Sequence, residues 1–128
     1  MSLNEADASK AYAVMCDAIQ DRIKRSVGRK CVLFFSAYSL DADRLPVDNL
    51  DDVPIWGKVQ IKSRPIKGVQ RRYEFESAVM KSPTWLELCG IANDQLIATR
   101  DRNHHYLEAV ELVETVGDIQ IAEFHFGT

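Results

Sequence analysis

Between residues 100 and 112 the chain reads RDRNHHYLEAVEL, which sets His104, His105 and Tyr106 beside two glutamates, Glu108 and Glu111. A further histidine, His125, follows near the C-terminus. Imidazoles and carboxylates can hold a transition metal or relay a proton, provided that several of them converge on one point. Whether they converge depends on the backbone that carries them. Residues four apart on a strand are separated by about 13 Å, so His104 and Glu108 would share a face without reaching a common ion. A tight turn at Gly117-Asp118 would return the chain and set His125 on that face, opposite Val110 and diagonal to Glu108. One histidine beside one carboxylate makes a cross-strand polar pair, not a coordination shell. On a helix, His104 or His105 would approach Glu108. The order, however, is H-H-x-x-E and not H-E-x-x-H, so paired histidines one turn apart are missing. The spacing therefore predicts no metal, and leaves His104, His105, Glu108 and His125 as candidate binding residues with no catalytic residue assigned.

A second group of charged side chains precedes them. Lys58, Lys62, Arg64, Lys67, Arg71 and Arg72 fall in a stretch with no acid between Val53 and Tyr73. Such a run on a hairpin can meet phosphates, or it can form a solvated face whose charge discourages edge-to-edge pairing. The net charge of -3, the pI near 5.6 and the lack of an aromatic stacking platform favour the second reading. Nucleic acid is not the expected partner, and Arg71 and Arg72 are candidate contacts for an acidic one.

Other chemistry finds little to stand on. Asp41 and Asp43 have the spacing of a calcium loop, but Pro46 takes the place of the required glycine and Asp52 that of the usual glutamate. There is no G-x-S-x-G elbow, and the six glycines are too scattered for a phosphate cradle. Cys16, Cys31 and Cys89 contain no C-x-x-C pair and lie among apolar neighbours, which suits reduced, mostly buried thiols. No cofactor is expected. The N-terminal residues lack the basic flank and apolar run of a signal peptide, and no apolar stretch reaches the ~20 residues of a bilayer span. These features predict a cytoplasmic protein without membrane contact.

The elements that must position these groups are readable from periodicity. Tyr12, Met15, Ile19 and Ile23 recur at helical spacing within residues 5–27, acids early and bases late, with Gly28 as the stop. Residues 31–40, CVLFFSAYSL, are apolar on both parities and predict a central or doubly covered strand. Ile55, Val59 and Ile61 alternate with polar residues, as do Val69, Tyr73, Phe75 and Val79, which predicts an antiparallel hairpin. Thr84 and Glu87 form a capping box that opens a second helix over residues 82–101. Residues 104–114 fit either helix or strand, and the Gly117-Asp118 turn favours a final hairpin.

The sum is one α+β domain over residues 1–128, with an antiparallel sheet of about five strands, both helices on one face, and the order α-β-β-β-α-β-β. That order resembles cystatin-type and secretion-chaperone-type folds in topology, with no shared motif, so it implies no function. The expectation for function is a small non-enzymatic binding or protein-interaction module. It is expected to form a homodimer or higher oligomer through apolar residues on both faces of the final hairpin, and to bind a protein or small molecule. The alternative is a small enzyme or ligand-binding protein centred on His104, His105, Glu108 and His125.

Overall fold

A computed structural model describes residues 5–28, 30–40, 49–63, 75–100 and 103–127, with backbone alone for 5–13 and 36–40. In chain order the elements are α1 (Glu5–Val27), β1 (Phe34–Leu40), β2 (Lys58–Ile61), β3 (Met80–Lys81), α2 (Trp85–Thr99), β4 (Tyr106–Val116) and β5 (Ile119–Gly127). The α+β class and the order of elements are as the sequence implies. Of residues 104–114, those from Tyr106 onward form a strand, which continues to Val116.

Both helices follow from local rules. α1 buries Ile19 and Ile23, one turn apart, and places Lys24 and Arg25 in its last turn, against the negative end of the helix dipole. It stops at Gly28, whose φ of +89° suits glycine and whose N–H donates to the Lys24 carbonyl at 3.0 Å. α2 opens with the capping box: Thr84 Oγ1 accepts from Glu87 N at 3.2 Å, and Glu87 Oε1 accepts from Thr84 N at 3.4 Å. Two further first-turn amides, of Trp85 and Leu86, donate to the carbonyls of Asp52 and Leu50. The loop before β2 is thereby fastened to the helix start, where donors would otherwise lack partners.

The sheet departs from expectation. It is mixed, with strand order β1-β4-β5-β2-β3, and strongly curled. β4 pairs with β5, and β2 with β3, in antiparallel fashion, but β1 runs parallel to β4 and β2 parallel to β5. The parallel pairs arise because each joins strands separated in sequence by α2, and a chain that crosses over through a helix re-enters the sheet in its former direction. β1 lies at an edge and not at the centre, and Phe34 is 44% exposed despite its apolar neighbours.

Three one-residue slips sort the side chains. Between the Leu107↔Phe126 and Ala109↔His125 pairs, β4 holds one residue more than β5, and the extra residue is Glu108. Between Leu112↔Ala122 and Glu114↔Ile121 the extra residue is Val113. Each bulge reverses which parity faces inward. Leu107 and Val110, of opposite parity, are consequently both buried, on the side that also buries Ala122 and Phe124. The final hairpin is thus less apolar on its outer face than simple alternation implies. The third slip lies beside β2, between the Lys62↔Glu76 bridge and the Val59↔Met80 pair. There Ser77 Oγ accepts from Ile61 N at 2.9 Å, and Val79, expected to face inward, is exposed. The antiparallel course of this segment is as expected from Phe75 onward; Val69 and Tyr73 lie outside the described residues.

Among the described residues, one face of the sheet and both helices enclose a single core. Ile19 and Ile23 of α1, Leu88, Cys89, Ala92 and Leu96 of α2, and Phe35, Val59, Ile61, Leu107, Val110 and Phe124 of the sheet belong to one cluster. Trp85 is 2% exposed and seals it, whereas Trp56, at 73%, stands in solvent.

Candidate functional site on the outer sheet face

The opposite face is the one that carries charge. Across it, Phe34 lies beside Tyr106, which lies opposite Gly127; further along, Ala109 faces His125 and Glu111 faces Glu123. Continuing the parallel register of β5 with β2 places Lys62 next to Glu123, and Gln60 beside Ile121. Ile121 is buried yet stands outside the core cluster, in keeping with its outward side of the sheet.

Glu111, Glu123 and His125 meet here. His125 Nε2 and Glu111 Oε2 are 2.6 Å apart, and one donor atom from each of the three residues lies within 4.8 Å of the others. The backbone explains the meeting. Residues 123 and 125 are two apart on one strand and so share a face, while Glu111 projects from the position directly opposite Glu123. An unbulged hairpin would set His125 opposite Val110 with Glu108 as its diagonal neighbour. The extra residue at Val113 moves His125 to Ala109, brings Glu111 opposite Glu123, and hands the imidazole to Glu111.

The other candidate residues take separate roles. His105 Nδ1 lies 2.8 Å from the Val32 carbonyl, and since a carbonyl only accepts, the proton sits on Nδ1. The same residue's carbonyl accepts from Phe34 N at 2.8 Å, so His105 docks the start of β1 onto β4. His104 is exposed. The carboxylate of Glu108 lies over Gly127, in space that a Cβ there would fill. His105 and His125 are thus bound to different partners, and Glu108 is committed to neither. Arg71, Arg72, Arg64 and Lys67 lie outside the described residues, as do Asp41, Asp43 and Pro46 of the acidic loop. Of the remaining basic run, Lys58 pairs with Asp118 at 2.7 Å and Lys62 approaches Glu76 at 4.0 Å.

Near the hairpin turn, Lys58 holds the Asp118 carboxyl below the usual carboxylate range, chiefly by its hydrogen bond. On the helix side, the two-pronged bond from Arg22 does the same for Asp51. Burial drives the Cys89 thiol up to about 12, with nearby Cys31 adding to the shift, and burial likewise raises that of the partly buried Cys16. A thiol so shifted is a poor nucleophile.

Among the described residues, a shallow open groove of about 470 Å³ runs between Ser26 and Val27 of α1, Met80 of β3, and Glu87, Ile91 and Asp94 of α2. None of the candidate histidines lines it. No helix is long and apolar enough to cross a membrane, among the described residues. Comparison of the chain with protein-family models, curated proteins and solved structures finds no match in any of the three.

Proposed function

We propose that the protein is a small non-enzymatic interaction module that docks a partner on the outer face of its sheet, the simplest partner being a second copy of the chain. One observation carries the reading: Phe34 and Tyr106 stack with ring centroids 5.3 Å apart, yet are 44% and 42% exposed. Large aromatic rings held rigid in solvent are the groups that dominate binding energy at protein interfaces. They lie at one end of the outer face, with the charged cluster of Glu111, Glu123 and His125 beyond them and exposed Val116 at the far end.

The sheet edges favour docking by the face. Gln20 covers the start of β1, and the β2 edge is occupied by β3 and by the backbone of Phe75 and Ser77. A partner strand would find those backbone groups already bonded. Catalysis has less support, since His105 and His125 do not share a partner and the described groove holds neither.

Light scattering at micromolar concentration, with Phe34→Ser and Tyr106→Ser, tests the reading. A dimer that either substitution converts to monomer supports it. A monomer at all concentrations, with both variants identical to it, removes self-association and leaves a different partner as the occupant.

A further inference from the structure

We propose that Glu111, Glu123 and His125 form a zinc site on the outer face of the β4–β5 hairpin, against the expectation from sequence spacing alone. Two independent features lead there. The first is geometry: three donor atoms from three residues lie within 4.8 Å of one another. Ligands on a tetrahedral zinc, at bonds of about 2.1 Å, sit roughly 3.4 Å apart. The set therefore has to close by at most about 1.4 Å, within the reach of rotations of glutamate side chains at a solvent-facing site.

The second feature is electrostatic. Glu111 and Glu123 are directly opposed across the ladder, an arrangement that like charges disfavour. His125 approaches one of the two carboxylates at 2.6 Å. A divalent cation would offset both negative charges at once. The donor set selects the cation: an imidazole nitrogen with two carboxylates suits zinc or manganese, whereas calcium and magnesium prefer oxygen throughout. Between the two that remain, the general affinity order of divalent ions favours zinc. Three protein donors on an open surface leave water to complete the shell.

The test is competitive titration of the tag-free full chain with zinc against a chromophoric chelator, repeated with His125→Ala, Glu111→Gln and Glu123→Gln. One equivalent bound at micromolar zinc, weakened at least about tenfold by each of the three substitutions, is the expected result. Glu114→Gln and His104→Ala, on the same hairpin or beside it, should leave the affinity unchanged. Circular dichroism of each variant shows that the fold is retained, and a zinc-dependent shift of the His125 ring signals reports the ligand directly. Failure of the unaltered chain to bind one equivalent overturns the site. Equal affinity in the His125→Ala protein overturns it too, as does an equal loss in the two control variants.

Discussion

Gln20 of α1 grips the exposed edge of β1 through Phe35, whose N–H donates to Gln20 Oε1 at 2.6 Å, while Gln20 Nε2 donates to the Leu33 carbonyl at 2.9 Å. An edge strand normally presents such groups to solvent or to another chain. Here a side chain from the covering helix imitates a neighbouring strand.

Gln20→Leu should therefore do two things. Stability measured by urea unfolding should fall by roughly 1–3 kcal/mol, because two backbone groups beneath the helix lose their partners. The variant should also aggregate more readily at high concentration, measured by static light scattering, since the edge is uncovered. Unchanged stability and solubility would show that the amide is dispensable.

Asn93 is the second polar clamp, and it is buried. Its Oδ1 accepts from Val32 N at 2.8 Å and Leu33 N at 3.0 Å, and its Nδ2 donates to the Lys30 carbonyl at 2.9 Å. Asn93→Leu fits a helix face but orphans three backbone groups, so a loss of at least about 3 kcal/mol is expected in chemical denaturation. Asn93→Asp keeps the acceptor but places a charge in the core and should be the more damaging of the two.

The Cys89 thiol predicts an alkaline limit on stability. Its folded-state pKa is raised from 9.0 to about 12, so the protonated folded form loses ground to the unfolded chain once the latter ionises. The contribution is fully present below about pH 9 and is lost progressively up to about 12, by at most roughly 4 kcal/mol at 1.36 per pH unit. Cys89→Ala should flatten that part of the pH profile, although the smaller side chain lowers stability at neutral pH. A profile of the same slope in both proteins would assign the alkaline loss to other groups.

At the acid end, Asp51 and Asp118 titrate below the ordinary carboxylate range because Arg22 and Lys58 bond to them. A depressed folded pKa gives stability that is present above the unfolded value of 3.8 and is lost as pH falls through the folded one. Carboxyl NMR titration should return Asp51 to the normal range in Arg22→Gln, and Asp118 in Lys58→Gln. Both pairs are exposed, so neither substitution should alter neutral-pH stability much.

What the sequence revealed, and what it hid, follows from the range of each interaction. The helices were legible because their signals are local: the spacing of Ile19 and Ile23, Gly28 at the stop, and Thr84 with Glu87 at the start of α2. Strand positions were legible from alternation, but partners and direction were not. Pairing β1 with β4 joins residues 34 and 106, and nothing near either one announces the other. The candidate site was half legible. His125 stood out by type, whereas Glu111 and Glu123 looked like ordinary solvent-facing residues until the bulge at Val113 fixed the register. Asn93 did leave a signal: an amide between Ala92 and Leu96 on the apolar arc of a helix needs a buried partner.

The two extra residues in β4 also bear on how the hairpin opens. They divide it into three short ladders in series: 114–116 with 119–121 at the turn, 109–112 with 122–125 in the middle, and 106–107 with 126–127 at the far end. Fraying that starts at the turn meets a break in pairing at Val113, and fraying from the other end meets one at Glu108. Native-state amide exchange should therefore release the hairpin in blocks, not residue by residue, with the middle block slowest. Glu111, Glu123 and His125 all belong to that block.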